Sequence, residues 1–174
     1  MVLDPVGAGA TAYRTETSLR LLSMGPDVVK GNAGEIGVLS GAGGDVRGVD
    51  SHGSADIVDA VRGMARERGC VVAATGEVDV VSDGSVTLEL SNGTHLLSLV
   101  SGTGCMVSSV VGCYTGACGA DVWSVASAIS AFNVAAEHAA AASGGPGTFK
   151  PALMDALHSL EGEVLDAETR WERV

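Results

Sequence analysis

The chain has 174 residues, of which 46% are hydrophobic and 18% charged, a globular composition sufficient for about one domain with a sizeable core. Its net charge of −11, from 10 basic and 21 acidic residues, argues against a general nucleic-acid surface, since phosphate contacts need clustered Lys and Arg. Any phosphate bound here must be held by local backbone N–H groups, a metal ion and one or two basic residues.

The first apolar pair, Val2–Leu3, reads as a short strand that ends in the turn Asp4-Pro5-Val6-Gly7. Residues 14–24 read as a helix ended by Gly25. Residues 27–30 read as a short buried strand, and Asn32 caps a helix running through Glu35 to Leu39. The next helix starts at Ser54; Ile57, Val58, Val61, Met64 and Ala65 form its apolar face and Gly69 ends it. Residues 70–74 follow as a buried strand. Residues 78–82 and 86–90 flank Asp83-Gly84 as a hairpin. Residues 96–100 read as another strand, which hands over at SGTGC (residues 101–105) to a long helix of small residues. Residues 121–142 and 151–160 read as two further helices. The alternation predicts an α/β layer with a mostly parallel sheet, followed after the hairpin by helices only.

Four strand ends are then polar and glycine-rich: residues 4–8, 30–32, 75–77 and 101–105. Ligands of open α/β sheets sit at such ends, so one shared site is expected. No membrane partner is expected: the N-terminus lacks a basic n-region, and the uncharged segment 96–120 is too rich in Gly, Ser and Thr to span. Cys70, Cys105, Cys113 and Cys118 form no CxxC pair and no zinc-like spacing with His, which predicts buried free thiols, Cys105 excepted.

In SGTGC, Gly102 and Gly104 flank Thr103 at a helix start. Glycine lets the backbone approach an anion, and the helix N-terminus offers free N–H donors. A plain glycine-rich connection explains the same spacing. Cys105, on the first turn, can take a proton from an alcohol, or simply pack. Asp4 can hold Mg²⁺ directly or through water, or serve as a turn starter before Pro5. In KGNAGEI (residues 30–36), Lys30 can reach a phosphate and Glu35 can orient metal-bound water; a solvated Lys and an ordinary helix-start Glu fit equally. In TGEVD (residues 75–79), Thr75 offers a hydroxyl to a phosphate oxygen, with two carboxylates nearby. Trp123 and Phe132, at helical spacing, read as core. The four His residues suggest no role.

DPVGAGAT, KGNAGEI, RGVDS, TGEVD, SGTGC and GPGTF occur here in the order they take in hydroxyethylthiazole kinases, and the chain resembles that family over nearly its whole length. KGN and GPGTF look closer to the kinase half of the fungal bifunctional thiamine enzyme. The resemblance implies a ribokinase-like α/β fold, one kinase domain over residues 1–174, and Mg²⁺- and ATP-dependent phosphorylation of 4-methyl-5-(2-hydroxyethyl)thiazole in the cytoplasm. It implies ATP contacts at Lys30 and Thr75, and a substrate-side anion hole at Gly102, Thr103 and Gly104. It also implies a catalytic base at Cys105, where most ribokinase-like relatives have an Asp base, and acidic groups near Mg²⁺ at Asp4 and Glu35. Family members carry an N-terminal portion before the DPVG strand and assemble as trimers, so the expectation is an N-terminally incomplete fold in a homo-oligomer. Two alternatives remain at this stage: a non-catalytic nucleotide-binding or oligomerisation fragment, and another small-alcohol kinase or ADP-dependent dehydratase of damaged nicotinamide cofactors.

Overall fold

The computed structural model describes residues 1–41 and 54–174; RGVDS (residues 47–51) and His52 lie outside the described residues. The chain runs β1 (Val2–Leu3), α1 (Ala12–Leu22), β2 (Val28–Asn32), α2 (Ala33–Leu39), α3 (Ser54–Arg68) and β3 (Val71–Thr75). It continues through β4 (Asp79–Ser82), β5 (Thr87–Leu90), α4 (Leu96–Leu99), α5 (Thr103–Cys118) and α6 (Val122–Ala142). It ends in α7 (Pro146–Ser159), α8 (Gly162–Glu168) and β6 (Trp171–Arg173).

The helix starts follow from side chains that satisfy orphan amides. Thr11 accepts from the Arg14 N–H at 3.2 Å to begin α1. Asn32 ends β2 and opens α2 through a capping box: its Oδ1 accepts from the Glu35 N–H at 2.9 Å, while Glu35 Oε2 accepts from the Asn32 N–H at 2.8 Å. Asp121 accepts from the Ser124 N–H at 2.7 Å and so begins α6.

The strands form one sheet in the order β1-β2-β3-β4-β5-β6. Neighbours from β1 to β3 pair in parallel, and those from β3 to β6 pair antiparallel. Four of the six strands, β1, β2, β3 and β5, therefore run in one direction. Strand periodicity divides the core in two. Val28, Val71, Ala73, Val81, Leu88 and Leu90 face α5, α6 and α7. Leu3, Val29, Val72, Ala74 and Val80 face α1, α2 and α3. The alanine-rich α6 lies on the first face and contributes Ile129 and Phe132, both essentially inaccessible. Small side chains let it press close to the sheet and to α5 and α7 at once.

Several expectations are corrected. Residues 96–99 are a short helix, not a strand, so SGTGC lies at a helix–helix junction and three of the four polar segments close strands. A segment as short as Leu96-Leu97-Ser98-Leu99 cannot distinguish strand from helix by periodicity. The segment after the hairpin is not purely helical: β6 pairs with β5, and Trp171, Glu172 and Arg173 are exposed, leaving no apolar alternation to mark it. The 151–160 helix starts five residues earlier, with Pro151 inside it. Phe132 is core as expected, but Trp123 is half exposed, edge-to-face with Trp171 at 5.7 Å. All four cysteines are free; Cys70 is buried, whereas Cys113 and Cys118, expected to be buried, are exposed with Cys105. No helix among the described residues is long and apolar enough to cross a membrane.

The hydrogen bond from the Ser124 N–H holds the Asp121 carboxyl below its ordinary pKa. A lowered carboxylate stabilises the fold above its ordinary titration range, and that gain is lost as pH falls through the lowered value. Asp121→Ala is expected to lower the unfolding free energy by about 1 kcal/mol at neutral pH. Urea titration should show the difference from wild type shrinking on acidification.

Candidate active site

The sheet places its polar connections at one end. β1 ends at Leu3 and delivers Asp4 beside Lys30 of β2, with Asp4 Oδ2 3.9 Å from Lys30 Nζ. The Lys30 ammonium is buried and donates to the Gly104 carbonyl in the first turn of α5 at 3.2 Å. Ser108, one turn along α5, donates to Asp4 Oδ2 at 2.6 Å. The turn after β1 is tied to α2 as well, since Glu35 Oε1 accepts from the Gly7 N–H at 2.8 Å. Gly7 has a φ of +75°, in the left-handed region that side chains rarely adopt, so this turn favours glycine.

α5 begins after Gly102, whose φ of +95° lies in the left-handed region. Thr103 Oγ1 donates back to the carbonyls of Leu97 and Val100, at 2.9 and 3.2 Å, fastening the helix start to α4. The first α-helical bond runs from the Met106 N–H to the Gly102 carbonyl. Helix geometry leaves the amides of Thr103, Gly104 and Cys105 pointing out of that first turn, an anion-binding arrangement.

These groups border a cleft of about 1090 Å³. One wall is the β3–β4 turn from Thr75 to Asp79, and the facing wall is the loop from Ser91 to His95 with Leu97 and Ser98 of α4. Its floor is Thr103, Gly104 and Val107 of α5 with Ile129, Phe132 and Asn133 of α6. Asp79 is buried in this wall. Its Oδ1 accepts from the Gly76 N–H at 2.9 Å and its Oδ2 from Asn133 Nδ2 at 2.6 Å. Burial pushes its pKa up to about 6, against the two hydrogen bonds and the nearby Lys30 charge. The facing loop is anchored by Glu137 of α6, which accepts from the Gly93 N–H at 2.7 Å and pairs with Arg170 at 2.5 Å.

Of the residues named from sequence, Thr75, Thr103 and Gly104 line the cleft. Thr75 spends its hydroxyl on the Gly31 carbonyl at 3.2 Å. Lys30 lies beneath Gly104, Asp4 beside Lys30, and Glu35 against the turn that Asp4 begins. Gly102 and Cys105 are exposed on the α5 start, flanking the two lining residues. Sequence reasoning missed Ser108, Asn133 and Glu137. Asn133 carries a signal, being the one amide in an otherwise alanine-rich helix.

The family model described as the hydroxyethylthiazole kinase family matches residues 1–163. The chain belongs to that family. A hydroxyethylthiazole kinase of Methanoculleus marisnigri is 49% identical over 99% of this chain and 62% of its own length. One from Methanosphaerula palustris is 47% identical over 96% of this chain and 64% of its own. Among solved structures, hydroxyethylthiazole kinase protein from Pyrococcus horikoshii OT3 superposes with a TM-score of 0.89 at 41% identity, covering 99% of this chain and 65% of that one. The ribokinase-like fold expected for a hydroxyethylthiazole kinase family member is thus observed, and the chain spans less than two thirds of the length of these relatives.

In this family member the buried Lys30 charge is compensated from β1 and α5 together. Lys30→Ala is expected to cost about 3 kcal/mol, because it leaves Asp4 and Asp79 without their shared cation in a partly buried site. Equilibrium urea unfolding of the variant checks this, and Asp121→Ala, remote in the fold, provides an additive control.

Proposed function

We propose that the chain transfers the γ-phosphoryl group of ATP to the primary alcohol of 4-methyl-5-(2-hydroxyethyl)thiazole, as one kinase domain over residues 1–174, in the cytoplasm. The observation that carries this reading is the cleft in which the Thr75 turn and the open first turn of α5 meet. Phosphoryl transfer asks mainly for positioning and for stabilisation of charge on the equatorial oxygens, which backbone amides supply without a strongly basic surface. The amides of Thr103, Gly104 and Cys105 serve as the anion hole, and Gly102 gives the chain its left-handed entry into it. Thr75 marks the nucleotide wall. Lys30 acts on phosphate charge from beneath Gly104 and keeps α5 in register with β2.

Cys105, exposed on the first turn, takes the proton of the alcohol as its oxygen attacks the γ-phosphorus and ADP leaves. Mg²⁺ suits the donors present: Asp4 and Glu35 are hard carboxylate oxygens, and Mg²⁺ binds through one or two carboxylates, waters and substrate phosphates. Asp4 and Glu35 would hold the ion, directly or through water, and it would neutralise charge on the β- and γ-phosphates. Assembly as a homo-oligomer, a trimer on the family resemblance, is part of the proposal. The exposed, uncharged α5 positions Cys105, Ser109 and Cys113 support it.

The test is ATP turnover with the thiazole alcohol, run beside pyrimidine and sugar alcohols; ATP consumption indifferent to the thiazole would defeat the reading. Cys105→Asp keeps a base at the helix start and is expected to lower kcat by less than about tenfold. Gly102→Val forces a β-branched residue into the left-handed region and is expected to lower kcat by more than about a hundredfold through loss of anion-hole geometry. Equal losses in both would overturn this division of roles.

A further inference from the structure

We propose that Asp79 is a positioning residue of the nucleotide cleft, holding the Thr75–Gly76 turn against α6 in the shape that receives ATP. The inference rests on the nucleotide reading given above. Asp79 opens β4 only three residues after Gly76, and its carboxylate closes that turn by accepting from the Gly76 N–H at 2.9 Å. Its other oxygen accepts from Asn133 at 2.6 Å, 54 residues away on the cleft floor. The turn is exposed at Gly76, Glu77 and Val78, while Asp79 itself is 4% exposed. An exposed turn is thus fastened from beneath by one buried carboxylate, which bonds to two N–H donors and does not need to touch the ligand.

The fastening needs the ionised carboxylate, since only that form accepts on both oxygens from charge-seeking donors at full strength. The charged and titratable groups around it are Lys30 from β2 and, within the cleft, Glu77 of the same turn and His95 on the facing loop. Burial holds the Asp79 pKa up near 6, so the clamp weakens as pH falls through that value. Asn133 opposes this rise by its hydrogen bond. An Asn133→Leu variant should therefore lose its clamp at a higher pH than wild type does.

The experiment is calorimetric ATP binding to the 174-residue chain across pH, with Asp79→Asn and Asn133→Leu beside it. The Gly76 amide proton is followed by NMR in the same samples. Because Asp79→Asn carries no titrating group there, the ratio of wild-type to variant affinity removes the titration of the nucleotide itself. We expect Asp79→Asn to bind ATP roughly tenfold more weakly at about pH 7.5, and the wild-type advantage to vanish near about pH 5. We expect Asn133→Leu to shift the inflection upward, and the Gly76 amide shift to move with it. A wild-type advantage that is absent or constant with pH, or an inflection unmoved in Asn133→Leu, overturns the proposal. If Asp79→Asn fails to fold, the wild-type and Asn133→Leu inflections decide alone. Wild-type chain that binds no ATP at any pH removes the nucleotide reading and this proposal with it. Wild-type binding indifferent to both substitutions removes only the clamp.

Discussion

A buried lysine organises this end of the sheet. Placing an ammonium out of water is costly unless charge and hydrogen bonds replace its hydration. Lys30 finds a carbonyl on α5, a carboxylate after β1 and the field of a second carboxylate at the start of β4. Those partners come from three separate segments, so satisfying one cation fixes three pieces of backbone relative to β2. The open first turn of α5 is one of them. In a chain of net charge −11, this compact arrangement keeps one buried cation next to the start of α5.

The remaining framework directs its backbone toward the same region. α6, made largely of small residues, can pack on the sheet and on two helices while presenting Phe132 and Asn133 to the cleft floor. Its far end holds Glu137, which fastens the facing loop and Arg170 next to the C-terminal strand. One helix therefore supports both walls, through Asn133 on one side and Glu137 on the other. Both cleft walls are short connections without a core of their own, and such segments open readily unless side chains tie them down.

Much of this was legible in the sequence, for local reasons. Asn32 and Glu35 three residues apart announce a capping box, and the box is present. The valine-rich strands alternate between the two cores as a period of two demands. Gly102 before a run of small residues indicated a helix start, and α5 does begin there. Residues 96–100 read as a strand because so short a segment has no period to read; backbone bonds from Leu97 to Thr94 and from Ser98 to His95 make residues 96–99 a helical turn, and the Thr103 hydroxyl takes up the Leu97 and Val100 carbonyls. β6 had no apolar pattern at all and becomes a strand only by pairing with β5.

Sequence by itself determined the features that close within a few residues: caps, alternation, the glycine-built entry to α5, and the ordered motifs that place the chain in its family. Tertiary structure decided which polar groups meet. Lys30 and Gly104 are 74 residues apart, Asp4 and Ser108 are 104 apart, and Asp79 and Asn133 are 54 apart. No spacing rule reaches across such distances, because the partner of a buried polar side chain is set by which segments the packed core brings together. Lys30 read from sequence as a cation free to reach a phosphate, with a solvated surface residue as its alternative. In the folded chain it is buried and donates to the Gly104 carbonyl of α5.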